Sequence, residues 1–265
     1  MHAFFGASYS EHPEEYREIF DIEKSSKNYE EDTKLTGFGL APTKTEGGSV
    51  MYDSESQGYT KRYTHVVYGL GYIVTEEELE DNHYEIVSRR RIKRLAFSMR
   101  QTKEIVGANV LNRAFSSSYL GGDGIELSSL LHPSLAGTFQ NELTTPADFS
   151  EAALEDMLII IGQAKNERGL NIVIRPEKLI VPVNLMFEAK RVLKSELQSN
   201  TANNDINALK GMIDFTVNHY LTDTDAWFVK TDCPNGMQLF ERRALAFSQD
   251  SDFSTSNALA KATMR

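Results

Sequence analysis

The side chains with the widest chemical repertoire are six histidines, His2, His12, His65, His83, His132 and His219. No two stand four residues apart and no His-Glu-x-x-His occurs, so a helical zinc site is excluded. Each is expected to serve as a structural hydrogen-bonder. The one cysteine, Cys233, rules out an intrachain disulfide and a cysteine-rich metal site. It lies near a turn, without the surroundings of a nucleophile. Asp223-Thr-Asp225 opens like a calcium loop, but the glycine and closing glutamate of such a loop are missing, so a polar turn is expected. Gly121-Gly-Asp-Gly124 is not followed by Lys and Ser or Thr, and it trails a helical pattern. Phosphate cradles sit at helix starts, so this one reads as a helix stop. No Gly-x-Ser-x-Gly elbow is present. The catalytic arrangement still open is a hydrolase that pairs His132 or His219 with Asp223 or Asp225. No cofactor and no metal is expected.

The elements that would position such groups are more telling than the groups themselves. Residues 59–74 read as an extended ribbon rich in Tyr, Thr and Val. Thr75 and Glu78 then form a capping box, and Glu76 and Glu77 suit the positive end of a helix dipole. One helix is expected from about 76 to 115, spanning roughly 60 Å. Its apolar stripe is Ile92, Leu95, Ala96, Met99, Val106 and Val110. So long a rod suits a shell subunit better than a compact enzyme.

Before it, residues 1–45 read as an arm that buries little by itself. Within it, 12–21 forms a short helix with Tyr16, Ile19 and Phe20 on one side. Residues 46–53 lead to a polar tip at 54–58, which predicts a hairpin with the ribbon. A lone hairpin is marginal in water, so it is expected to lie across a neighbouring molecule. After the rod come helices at 151–166 and 185–197. Strands are expected at 171–176, 178–182, 213–220, 226–230 and 237–247, and the polar 198–205 stretch is a loop.

The 265-residue chain carries a net charge of −10, which argues against a general nucleic-acid binder. It has no apolar run long enough to span a membrane. The N-terminus lacks the basic start of a signal peptide, so synthesis in the cytoplasm is expected. Charge is uneven: residues 1–40 carry nine acids and four bases, whereas 86–103 carry seven bases and no acid. Blocks of this kind attract each other within a subunit or between neighbours.

Taken in order, a set of stretches resembles the major capsid proteins of tailed bacteriophages, and more narrowly the Mu-type head-subunit group. They are Glu46-Gly-Gly, Tyr52-Asp-Ser54, Gln57-Gly-Tyr59, Tyr68-Gly-Leu-Gly-Tyr-Ile-Val-Thr75 and Glu80-Asp-Asn82. Leu111-Asn-Arg-Ala-Phe115, Gly121-Gly-Asp-Gly124, His132-Pro133, Tyr220-Leu-Thr-Asp-Thr-Asp-Ala-Trp-Phe228 and Phe240-Glu-Arg242 complete it. The resemblance covers nearly the whole chain, though the chain stops at Arg265, earlier than such proteins usually do.

It implies an α+β fold of the Hong Kong 97-like type. In that fold 1–40 would be an N-terminal arm and 41–74 an extended loop. Residues 75–124 would be a peripheral domain with its spine helix, 125–236 an axial domain, and 237–265 a return to the peripheral domain. The implied function is self-assembly into pentamers and hexamers that close an icosahedral virion shell around double-stranded DNA. Partners would be further copies of the chain, with scaffold, portal and decoration proteins. An encapsulin-like compartment shares the fold. Subunit contacts are expected from Tyr52, Tyr59, Lys61, Arg62 and Tyr63 on the loop. Others are expected from Arg89, Arg90 and Arg91 on the rod, from Glu14 and Glu15 on the arm, and from Trp227.

Overall fold

The computed structural model describes residues 2–81, 84–198 and 205–265. Helices α1 (His2–Ser10) and α2 (Tyr16–Ile19) precede strands β1 (Asp21–Lys24), β2 (Tyr29–Leu35), β3 (Gln57–Thr64) and β4 (Tyr68–Val74). Helices α3 (Glu76–Glu80) and α4 (Tyr84–Asn112) come next, then β5 (His132–Ser134), β6 (Gly137–Phe139) and α5 (Glu151–Gly162). Strand β7 (Pro176–Pro182), helix α6 (Met186–Lys194), β8 (Asp214–Asn218) and β9 (Phe228–Thr231) follow. The chain closes with β10 (Gln238–Glu241), β11 (Ala246–Ser251) and β12 (Ala258–Met264).

The chain divides into two units. The first joins residues 1–30, 63–108 and 237–265. Its antiparallel sheet has the order β11-β12-β4, with Ala258 opposite Val74 and Ala246 opposite Thr263. The first half of the expected α4 stripe covers that sheet: Ile92, Leu95, Ala96 and Met99 are buried with Phe247, Ala260, Ala262 and Met264. The spacing of those four helix residues is that of one helix face. The second half of the stripe is corrected, since Val106 and Val110 are exposed and Ala108 and Leu111 are buried in their place. Phe5 of α1 joins this core, its ring 4.8 Å from that of Phe247. Tyr16, Ile19 and Phe20 are buried as well, on the side expected from their spacing. A Cβ on Gly107 would lie 3.3 Å from Tyr16 and 3.4 Å from the Phe20 ring, so the glycine lets α2 approach α4 closely. The N-terminal segment, expected to bury little by itself, thus buries Phe5, Tyr16, Ile19 and Phe20 against other parts of its own unit.

The second unit joins residues 31–62 and 109–236. Its main sheet has the order β8-β7-β9, β7 running parallel to β8 and antiparallel to β9. Phe149, Leu154, Leu179, Val181, Ala189, Leu193, Leu209 and Ile213 form its core. Ser150 caps α5 by accepting the Ala153 N–H at 3.2 Å.

Several boundaries differ from expectation. The rod is two helices. Asp81 closes α3, α4 has 29 residues, about 43 Å of rise, and Asn82 and His83 lie outside the described residues. Thr75 does cap α3, accepting the Glu78 N–H at 3.4 Å. Glu78 does not complete the box, because its carboxylate is held by Arg91 at 2.6 and 3.0 Å. Helix α4 ends at Asn112, so Gly121-Gly-Asp-Gly124 is a separate turn rather than its stop.

The expected hairpin partner is also replaced. Residues 46–53 hold no strand, Gly47 taking a left-handed φ of 76° in a turn closed by Gly48 N–H to Thr45 O at 3.0 Å. Strand β3 pairs instead with β2, which is polar on both faces and shows no apolar alternation. The ribbon then breaks after Thr64, since β4 hydrogen-bonds to β12. Of the expected 171–176 strand only an isolated bridge from Asn171 to Lys165 exists. The 237–247 strand splits where Arg242 and Arg243 donate their N–H groups to Arg265 O, each at 2.9 Å.

Candidate assembly surfaces

In the first unit the acidic N-terminal segment and the basic helix meet inside one chain. Arg100 is only 3% exposed, and its guanidinium donates to the Glu14 carboxylate and to Tyr9 O at 3.1 Å. The guanidinium also lies 3.8 Å from the centre of the Tyr9 ring. Glu14 takes a second ion pair from Arg17. One turn on, Lys103 pairs with Glu241 at 2.9 Å and sits 4.5 Å over the Tyr16 ring. Glu104 is 1% exposed and accepts the Tyr16 N–H at 2.8 Å, while its Oε1 finds no partner. Burial raises the Glu104 pKa, outweighing the hydrogen bond from Tyr16. Glu15 caps α2 without a side-chain hydrogen bond to it.

The basic block thus splits by role. Arg100 and Lys103 serve the subunit's own packing, and Arg91 holds Glu78 and donates to Ile73 O at 3.1 Å. Arg89, Arg90, Lys93 and Arg94 are exposed on one side of α4, and Phe97 stands exposed beside them with His12 against its ring. Among the described residues no acid pairs with Arg89, Arg90 or Arg94.

In the second unit the β2–β3 ribbon is anchored at its base. Lys61 Nζ donates to Leu120 O at 3.0 Å and lies 3.4 Å from Gly121 O. Tyr59 packs against Gly122, where a Cβ would come within 2.8 Å of its ring. Lys34 pairs with Glu167 at 2.6 Å and sits 4.9 Å over the Tyr59 ring. Burial opposes the Lys34 charge, but Glu167 and Tyr59 outweigh it and the pKa is raised. The turn below is fixed by His132, whose Nδ1 lies 2.7 Å from Asp123 Oδ2. Burial raises the Asp123 pKa, yet hydrogen bonds from His132 and the Ile125 N–H outweigh it, and the carboxyl sits below its usual range.

The chain between the two strands, residues 36–56, is tied back locally and clipped by Arg168 to Ser54 O at 2.8 Å. It still exposes Phe38, Leu40, Val50, Met51 and Tyr52, the last at 93%.

The predicted contact residues therefore fall into different settings. Tyr52 is free of the fold, and Tyr63 is exposed with its ring 6.1 Å from that of Phe240. Tyr59 and Lys61 have cis roles, and Arg62 pairs with Glu31 at 2.6 Å. Trp227 packs into the second unit, 5.6 Å from Phe149, with Nε1 donating to Ala147 O at 3.3 Å. The carboxylate on His132 is Asp123 rather than Asp223 or Asp225, and Asp223 interacts with Asp225, which raises the Asp225 pKa. Among the described residues no three His, Cys, Asp or Glu side chains group as a metal site. No helix among them is long and apolar enough to cross a membrane. Phe97 and Phe253, both exposed aromatics beside charge, were not singled out from sequence.

None of the curated proteins matches the chain significantly. Among solved structures, the bacteriophage JBD30 capsid superposes with a TM-score of 0.64 at 14% identity, over 80% of this chain and 92% of that one. The same capsid decorated with minor capsid protein trimers gives 0.60 at 14% identity over the same shares. A virus-like particle from Pyrococcus furiosus gives 0.50 at 9% identity, over 99% of this chain and 90% of that one. These likenesses show the fold. The profile of a family described as phage capsid protein matches residues 58–263, more than three-quarters of the sequence, and the chain belongs to that family.

Proposed function

We propose that this capsid protein is the major head subunit of a tailed phage. Its copies gather as pentamers and hexamers and close an icosahedral shell around double-stranded DNA. The observation that carries this reading is the family match over residues 58–263. The role is structural rather than catalytic, and the protein resides in the virion. Copies of the chain are its principal partners, with scaffold and portal proteins. The JBD30 capsid carries minor capsid protein trimers, which supports a decoration partner here too. The DNA is enclosed without sequence reading, in keeping with the net charge of −10.

Within that scheme residues 75–124 and 237–265 are the peripheral domain and 125–236 the axial domain. Residues 1–40 are the arm and 41–74 the extended loop, with the strand pair of the loop redrawn to β2 and β3. Exposed Tyr52 and Tyr63 on the loop, and Arg89 and Arg90 on α4, are the contacts to neighbours. Individually modest contacts of this kind sum to a stable shell.

Arg91 belongs to the fold of its own subunit, so the discriminating variant is Arg89→Glu with Arg90→Glu. It is expected to lower particle yield about tenfold while thermal unfolding of the subunit stays unchanged. Wild-type yield from that variant would remove α4 from the contacts. The likeness to a virus-like particle from Pyrococcus furiosus keeps an encapsulin-like compartment as the second reading. Nuclease-protected nucleic acid in particles purified from infected cells separates the two.

A further inference from the structure

The hairpin between β11 and β12 presents Phe253 at 103% exposure. The tip that carries it is built rather than loose. Asp252 accepts hydrogen bonds from Ser254 N at 3.0 Å, Ser254 Oγ at 2.7 Å and Thr255 Oγ1 at 2.9 Å. The Asp252 N–H donates to Asn257 O at 2.9 Å, closing the turn. Those bonds from Ser254 and Thr255 also lower the Asp252 pKa, so the tip stays anionic. Asp250, exposed two residues earlier, adds a second negative charge. A rigid aromatic held in water loses little entropy on docking and is the usual anchor of an interface.

The complementary surface is the exposed side of α4. Arg89, Arg90, Lys93 and Arg94 project there beside exposed Phe97. A guanidinium stacks on an aromatic face and pairs with carboxylates at once. Three acids of the N-terminal segment are engaged at home: Glu14 by Arg100, Glu30 by Lys27 and Glu31 by Arg62. We propose that the Phe253 tip of one copy, flanked by Asp250 and Asp252, docks on the Arg90–Arg94 side of α4 in a neighbouring copy. This rests on the shell reading above and names the partner of its basic face.

The test uses the full chain in a Cys233→Ser background, which removes its only thiol. In the reduced number of particles that still close, Phe253→Cys combined with Arg94→Cys is expected to give intermolecular disulfides that neither change gives alone. Phe253→Ala is expected to lower closed-particle yield about tenfold with subunit unfolding unchanged, since the ring supports nothing in its own fold. Asp250→Arg should do the same, and adding Arg94→Asp should restore yield. Particles that form normally with Phe253→Ala and show no 253–94 crosslink overturn this docking and leave the shell reading standing. A wild-type chain that stays monomeric overturns both. Protection of residues 89–94 from labelling only in DNA-filled particles assigns the face to phosphate and overturns the docking.

Discussion

A single buried guanidinium explains why the acidic segment and the basic helix need not belong to different molecules. Arg100 is nearly fully enclosed, and Glu14 is its one carboxylate partner among the described residues. Removing one member of such a pair strands a charge. Glu14→Gln is expected to destabilise the subunit by about 3 kcal/mol, read by denaturant unfolding. Glu104 works in the opposite sense. Its folded-state pKa is raised above the ordinary 4.5, so its contribution to stability is full at pH below that value and is lost as pH rises through the raised one. Glu104→Gln keeps an acceptor for the Tyr16 N–H and removes the charge. Near neutral pH it should stabilise the fold by about 1 kcal/mol, and the gain over wild type should vanish in acid, as followed by thermal unfolding. The sequence showed both charge blocks but not this split. That Arg100 turns inward and Arg90 outward depends on where α2 lands on α4, and Gly107 is the one local sign of it.

At the level of elements, what could be read was whatever repeats at a fixed period or sits at a cap. The buried face of α4 over residues 92–99, the Ser150 cap and the Thr75 cap all follow from residue order, whereas Val106 and Val110, expected on the same face, are exposed. Strand β2 could not be read this way. Its Tyr-Glu-Glu-Asp-Thr-Lys-Leu faces water on both sides, so no alternation marks it. What fixes it is pairing: Thr33 and Thr60 hydroxyls lie 3.1 Å apart, and the Thr36 N–H donates to Ser56 O at 3.1 Å. The base of the ribbon depends on Gly122 having no side chain. Gly122→Ala would drive a methyl into the Tyr59 ring and against Lys61 Cβ, while Lys34 Nζ already lies over that ring. Hydrogen exchange across 57–64 is expected to rise several-fold in that variant, while β7 and α5 stay protected. Unchanged exchange would mean the anchor is Lys61 alone.

Across the whole molecule, the features that look idle in one copy are those an assembly would use. Tyr52 and Phe253 are exposed at 93% and 103%, and Arg89, Arg90 and Arg94 stand exposed on the outer side of α4. The interior is ordinary by comparison: two cores, each built from periodic apolar residues. Membership of the phage capsid family accounts for that contrast, because a shell subunit completes much of its burial against neighbours. Two-unit organisation was only partly legible. Contacts join residues 1–30 to 237–265 in the first unit and 31–62 to 109–236 in the second. Such long-range pairings, like β1 beside β10, leave no local signature.

Electron microscopy of the purified full chain tests the central claim most directly. The account predicts closed, uniform shells with icosahedral symmetry, or free pentamers and hexamers that close on concentration. A monodisperse monomer that persists at high concentration and across salt and pH would contradict it.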